Sequence, residues 1–248
     1  MNNTHGVGVI LGGYVNGLGL VRSLGQAGIT SIIIDYERNI ASHSRYVCDH
    51  FISPHPAMET EAFIEFMVEI GKQLPQKGVL FCTNDIWLIP VSKCQKKLEP
   101  YYFYPMSSWD VIERCEDKAQ LYKLATEAEI PHPKTITVNS IMELKEYESD
   151  VPYPCVLKPS ITVGFMEKLG SSGRTLHIET VEEMAYWKKR MIEVELTDTP
   201  LILQEFIPGG TENLYTLTAY SNKDGNIIAY STGHKIRQNP PDAGTIVS

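Results

Sequence analysis

The five residues C-V-L-K-P at 155–159 constrain this chain more than any others. Cys155, Val156 and Leu157 form a short apolar run rich in strand formers, which reads as a buried strand. Lys158 at its end is a cation held on a rigid element, and Pro159 stops the strand there. A loop follows, then Gly170-Ser171-Ser172-Gly173, small residues whose backbone amides can turn toward an anion. A second strand is expected over 175–178. A strand-borne lysine, a loop and a glycine–serine turn form a hairpin that can close over phosphates. An ordinary surface hairpin with its lysine snorkelling to water would use the same residues, so the rest of the chain decides between them.

The opening of the chain is a βαβ unit. V-G-V-I-L at 7–11 is an apolar strand running into Gly12-Gly13. Leu18, Val21 and Leu24 follow at helical spacing, with Gly28 as a natural stop. S-I-I-I-D at 31–35 is a second buried strand, and the set predicts a doubly wound parallel sheet. Glycines at the first turn and an acid ending strand two imitate a dinucleotide fingerprint, but Gly12, Gly13, Gly17 and Gly19 do not make G-x-G-x-x-G. Glycines kept for a tight turn and close helix packing are the stronger reading.

An extended piece at 46–53 and a helix at 59–74, with Phe63, Phe66, Met67 and Ile70 on one face, come next. G-V-L-F-C at 78–82 is a third strand, ending at Thr83-Asn84-Asp85. Polar residues at the carboxyl end of a parallel strand lie where such sheets hold ligands. Asn84 and Asp85 are therefore candidate substrate contacts, although capping the helix predicted over 86–98 weighs more. Residues 101–106 close this first domain, 1–112, with a break near 107–110.

Composition narrows the function classes. With 30 Asp and Glu against 22 Lys and Arg, the net charge of −8 argues against nucleic acid or an anionic membrane as the main partner. It leaves a nucleotide possible, because a small basic pocket can sit in an acidic surface. The start has no basic region and no apolar run long enough for a signal peptide or membrane span. Five widely spaced cysteines with no C-x-x-C pair suit reduced thiols in a cytoplasm.

The character changes at 113–133. A helix here carries Lys118 in its first turn, against the helix dipole, a conflict expected where an outside anion is met. A strand at 135–138, a helix at 140–147, the lysine strand and hairpin, and a helix at 181–191 follow. L-I-L-Q-E-F-I-P-G-G at 201–210 is a strand ending in Glu205, with Glu212 just after. Segments 213–221 and 226–232 alternate around Lys223-Asp224-Gly225, a hairpin with a D-G turn. Beyond it, an extended run would put Lys235 and Arg237 on one face and His234, Ile236 and Gln238 on the other.

Taken together, E-D-K at 116–118, C-V-L-K-P, G-S-S-G at 170–173, Q-E-F-I-P-G at 204–209 and K-I-R-Q at 235–238 resemble the ATP-grasp superfamily. Within it the chain is most similar to the carboxylate–amine ligase branch that includes the D-aspartate ligases. The resemblance implies that Lys118 and Lys158 contact the ATP phosphates while Ser171, Ser172 and Gly173 fold over them as a lid. It implies that Glu205, with the backbone of Phe206 and Ile207, holds the adenine edge and Glu212 the ribose. Lys235 and Arg237 would be catalytic, holding the carboxylate and the acyl-phosphate together with Gln238. Two lysines and a nest of amides neutralise phosphate charge as it moves toward a second anion, and a guanidinium is a good planar partner for a carboxylate.

The resemblance also implies magnesium, held by acids and an asparagine on later strands; no such E-x-N element follows Gln238, so no metal ligand is expected in this chain. The fold class expected is α/β: a three-layer parallel-sheet domain, then an incomplete ATP-grasp α+β domain. Its lid subdomain would span 113–200 and the start of a larger, truncated subdomain 201–248. The function implied is ATP-dependent joining of a small-molecule carboxylate, an amino acid being a candidate, to an amine, with this portion inactive alone. The unpaired edge of the last hairpin leads us to expect either self-association or disorder of the last residues. A non-catalytic nucleotide-binding module is the alternative, and a nicotinamide enzyme a minor third.

Overall fold

A computed structural model describes residues 6–147, 150–160, 165–170, 175–239 and 245–247. The chain forms two compact units, Met1–Glu116 and Asp117–Ser248. The division falls after Glu116 and not at 112. The helix Trp109–Glu116, with Ile112 buried, belongs to the first unit.

The first unit is a five-stranded parallel sheet in the order β3-β2-β1-β4-β5: β1 Gly8–Leu11, β2 Ser31–Asp35, β3 Val47–Ile52, β4 Gly78–Cys82 and β5 Tyr102–Phe103. Its helices are α1 Val15–Gln26, α2 Thr60–Gln73, α3 Asp85–Lys93, α4 Gln95–Leu98 and α5 Trp109–Glu116. Successive strand residues face opposite sides. Val9, Leu11, Ile32, Ile34 and Leu80 pack with Phe63 and Met67 of α2 and Trp87 of α3. Ile10 and Ile33 pack instead with Val21 of α1 and with Ala41, on a 3-10 turn at Ile40–His43. Helical layers thus cover both faces, giving the three layers expected. The single helix predicted over 86–98 is two, with Pro90 inside α3 and Cys94 at the join. Proline supplies no N–H to the helix ladder.

The second unit opens with α6 Lys118–Glu127, not with a helix from 113. Its main sheet has the order β6-β9-β7-β8 and is antiparallel throughout: β6 Thr135–Val138, β7 Cys155–Pro159, β8 Leu176–Ile178 and β9 Leu201–Glu205. One face, with Val138, Cys155, Leu157, Ile178, Leu201 and Leu203, is closed by α7 Leu144–Tyr147 and α9 Val181–Glu193 through Leu144, Met184 and Met191. The expected cut at 200/201 fails here. β9 is an inner strand of this sheet, so any separate subdomain begins after Glu205. The loop after Lys158 carries a short helix, α8 Phe165–Lys168, and buries Phe165 and Leu169 in the same core.

The strands β10 Tyr215–Ser221 and β11 Ile227–His234 form the predicted hairpin. Asn222 Oδ1 accepts from the N–H groups of Asp224 (3.0 Å) and Asn226 (2.9 Å), and Gly225 supplies φ 82°. All strand residues of the hairpin are exposed, and among the described residues it pairs with no further strand. β12 Arg237–Asn239 pairs with β13 Thr245–Val247 as a separate ribbon. All five cysteines are free; burial pushes the Cys82 thiol up to about 12 and that of Cys155 to about 11. No described helix is long and apolar enough to cross a membrane.

Candidate functional site: a lysine cradle on an antiparallel sheet

β7 alternates strictly: Cys155, Leu157 and Pro159 enter the core, so Val156 and Lys158 stand on the opposite face. Lys158 lies opposite Ile202 of β9, which makes Gln204 its diagonal neighbour. Lys158 Nζ donates to Gln204 Oε1 at 2.9 Å and, at 3.4 Å, to the Tyr122 hydroxyl; it also lies 5.5 Å from the Tyr122 ring centre. Gln204 is fixed in turn, donating through Nε2 to Thr135 Oγ1 at 3.0 Å on β6. Among the described residues no carboxylate pairs with Lys158. An ammonium has three donors. Two are held by neutral groups, and one proton and the whole positive charge are left for a ligand.

Lys118 is the first residue of α6 and sits one helical turn before Tyr122, on the same stripe. The apparent conflict with the helix dipole is resolved inside the protein. Asp117 is the N-cap, accepting from the N–H groups of Ala119 (2.9 Å) and Gln120 (3.4 Å) and from the Gln120 side chain (2.9 Å). That side-chain bond, before the other contributions, holds its carboxyl below the ordinary aspartate range. An outside anion is therefore not required to explain a lysine at this position.

At the far end of β9, Glu205 exchanges bonds with Lys134: its N–H donates to the Lys134 carbonyl (2.8 Å), and its Oε2 accepts from the Lys134 N–H (3.0 Å). The Phe206 N–H, expected to face a ligand, donates to the Pro154 carbonyl at 3.1 Å and is used by the fold. The Ile207 N–H has no partner among the described residues. The Phe206 ring meets His177 edge-on at 4.4 Å. Glu212 lies in a 3-10 turn at Thr211–Asn213, exposed, with Asn213 Nδ2 donating to its Oε1 at 3.3 Å. Its carbonyl accepts from His234 Nε2 at 2.7 Å, and His234 stacks on Tyr215.

Several expectations stand elsewhere. Ser171, Ser172 and Gly173 lie outside the described residues. Arg237 and Gln238 enter through their backbone in β12 only. β11 ends at His234 and β12 starts at Arg237, so no continuous strand runs over 234–238. Asn84 takes the N-cap position of α3 without a side-chain cap bond, and Asp85 follows in the first turn; both are exposed at the carboxyl edge of the first sheet. Asp35 is buried and committed: Oδ2 accepts from Gly13 N–H (2.7 Å) and Asn39 (3.0 Å), and Oδ1 from Tyr36 N–H (2.8 Å). It braces the glycine turn, leaving nothing for a ribose. No group of three His, Cys, Asp or Glu side chains able to hold a metal occurs among the described residues. No local motif marks a role for Tyr122, Thr135, His177 or Gln204; the sheet register, and for Tyr122 the start of α6, brings them to this face.

This fold is shared with solved structures of an N5-carboxyaminoimidazole ribonucleotide synthetase and an L-amino acid ligase. The chain is 25% identical to the D-aspartate ligase of Enterococcus faecium (strain Aus0004) across 98% of its own length and 59% of that protein's. It is 23% identical to the human mitochondrial carbamoyl-phosphate synthase [ammonia], over 90% of this chain and 13% of that one. The L-amino acid ligase of Bacillus licheniformis superposes with a TM-score of 0.67, at 15% identity, over 96% of this chain and 52% of that one. The ADP complex of PurK, an N5-carboxyaminoimidazole ribonucleotide synthetase, gives 0.66 at 13% identity over 95% and 55%. The chain thus spans 59% of the ligase relative's length and about half of those solved structures. No family model matches it.

Proposed function

We propose that the second unit binds ATP, with the phosphates on Lys158 and Lys118, and that the chain serves ATP-dependent joining of a small carboxylate to an amine. The observation that carries this reading is the half-buried Lys158, anchored by Gln204 and Tyr122 and matched by no described carboxylate. Adenine would lie along the end of β9, taking the Ile207 N–H beside the Phe206–His177 edge, and Glu212 would take the ribose hydroxyls. Ser171, Ser172 and Gly173 would close over the phosphates. The nature of the ligase relative, and an ADP complex among the structural neighbours, support the nucleotide.

In the reaction, a carboxylate oxygen attacks the γ-phosphorus and ADP leaves; the amine nitrogen then attacks the acyl carbon and inorganic phosphate leaves. Lys235, Arg237 and Gln238 are assigned to the carboxylate and acyl-phosphate, and Asn84 and Asp85 to substrate. Magnesium would neutralise phosphate charge. An amino acid is the proposed carboxylate class, and a cytoplasmic homo-oligomer the proposed setting.

Calorimetric titration with ATP tests the core of this. Lys158→Ala should weaken binding at least tenfold, since a hydrogen bond to a charged group contributes ~1.5–3 kcal/mol. Lys168→Ala, an exposed lysine on α8, should leave it unchanged. Equal affinities for the two variants would remove Lys158 from the site. ADP release on addition of candidate amino acids then separates a ligase from a nucleotide-binding module.

A further inference from the structure

A second cationic site lies in the first unit, on the outer side of α1. Leu18, Arg22 and Gln26 recur every four residues and share one helical stripe. The 3-10 turn at Ile40–His43 and the segment leading into β3 run beside that stripe, leaving a groove of about 740 Å³. Its polar lining is Arg22, Gln26, His43, Ser44, Arg45 and Tyr46, and no carboxylate lines it. In a chain with 30 acids against 22 bases, an acid-free concavity holding two guanidinium groups and an imidazole is a pronounced local reversal of charge.

The groove is built and not merely left over. Arg45 lies over the Tyr46 ring at 5.2 Å and donates through Nη2 to the Tyr46 hydroxyl at 3.4 Å, a contact that orients the guanidinium and spends one of its five N–H donors. Neither Arg22 nor Arg45 forms an ion pair among the described residues. Tyr46 is seated on α1 at Gly25, where a Cβ would come within 2.4 Å of the ring. The absence of a side chain at that one position therefore lets the loop approach the helix and shapes the groove's wall.

We propose that this groove binds a small polyanion, a phosphorylated or polycarboxylated metabolite, through Arg22 and Arg45. Guanidinium forks pair with phosphate and carboxylate oxygens in two-point geometry. Gln26, Ser44 and the His43 ring add further polar groups around them. The site is independent of the ATP assignment, because all its residues lie in the first unit.

The test titrates inorganic pyrophosphate and, separately, citrate at low ionic strength into the full 248-residue chain carrying Lys158→Ala, so that the lysine cradle does not contribute. At least one of the two anions should bind, and the one that does identifies phosphate or carboxylate as the chemistry read. Adding Arg22→Ala or Arg45→Ala should weaken that binding at least tenfold each, while circular dichroism melting stays unchanged because both side chains are exposed. Gly25→Ala should weaken it as well, by displacing Tyr46. Binding of neither anion, binding indifferent to both arginines, or binding of poly-glutamate alone would each overturn the proposal.

Discussion

The sheet β6-β9-β7-β8 and the hairpin β10–β11 belong to the same unit and use the same antiparallel ladder, yet they differ sharply in burial. In the first, Leu201, Ile202 and Leu203 are consecutive and all fully buried, so the strand is enclosed on both faces. In the second, Tyr215 and Leu217 of β10 and Ile228 and Tyr230 of β11 are all at least 62% exposed. The cross-strand register puts Tyr215 opposite His234, Leu217 opposite Thr232, and Ala219 opposite Tyr230, a largely apolar face in water. Both have a cross-strand hydrogen-bond ladder, and burial is the main difference between them. A ladder of hydrogen bonds gives little net stability without apolar cover, and an isolated two-stranded hairpin is marginal in water.

The sharpest way to break that comparison is to cut equivalent side chains from each region. Leu203→Ala empties a fully buried position and should cost about 2–5 kcal/mol in urea unfolding. Leu217→Ala, on the exposed face, should stay within about 0.5 kcal/mol. If Leu217→Ala costs as much as Leu203→Ala, the hairpin is covered in solution, and sedimentation at two protein concentrations would show whether a second copy covers it.

How legible these regions were in the sequence follows the same divide. Runs such as Ser31–Asp35, Gly78–Cys82 and Thr135–Val138 have their strand limits written locally, because an apolar run bounded by breakers admits few alternatives. Leu201–Glu205 is an inner strand, and its three successive apolar residues are the local signal of a strand buried on both faces. Gln204 and Tyr122 could not be joined to Lys158 from sequence. Their meeting depends on the β7–β9 register and on where α6 starts, and one residue of slip would turn Gln204 to the other face. The break between the units was hidden because E-R-C-E-D-K reads as continuous helix when Asp117 is in fact a cap.

Polar contacts sharpen the contrast at smaller amplitude. Gln204 is half-buried and ties Lys158 to Thr135, so Gln204→Ala strands the ammonium and should cost about 1.5 kcal/mol by chemical denaturation. Thr218→Ala, on the exposed hairpin opposite Ser231, should again stay within about 0.5 kcal/mol. Equal losses would mean that the lysine cradle is no better ordered than the hairpin, and the ATP reading would lose its anchor.

The smallest effect concerns the cap that starts α6 and so places both Lys118 and Tyr122. Replacing an aspartate N-cap with alanine costs about 1 kcal/mol, and Asp117→Ala should show this at pH 7. The pH dependence has a definite sign. The Gln120 side chain donates to the ionised Asp117, with help from the Gln120 and Ala119 N–H groups and nearby Lys118, so the folded carboxyl titrates below its unfolded value. A depressed carboxyl stabilises the fold above the unfolded value, about 3.9, and that contribution is lost as pH falls through the lower folded value. The gap in urea midpoint between wild type and Asp117→Ala should therefore be constant from pH 7 down to about 5 and narrow below about 4. A gap that widens with acid would mean that Asp117 is bonded as the neutral acid, and that Lys118 meets the helix dipole without the compensation assigned to it.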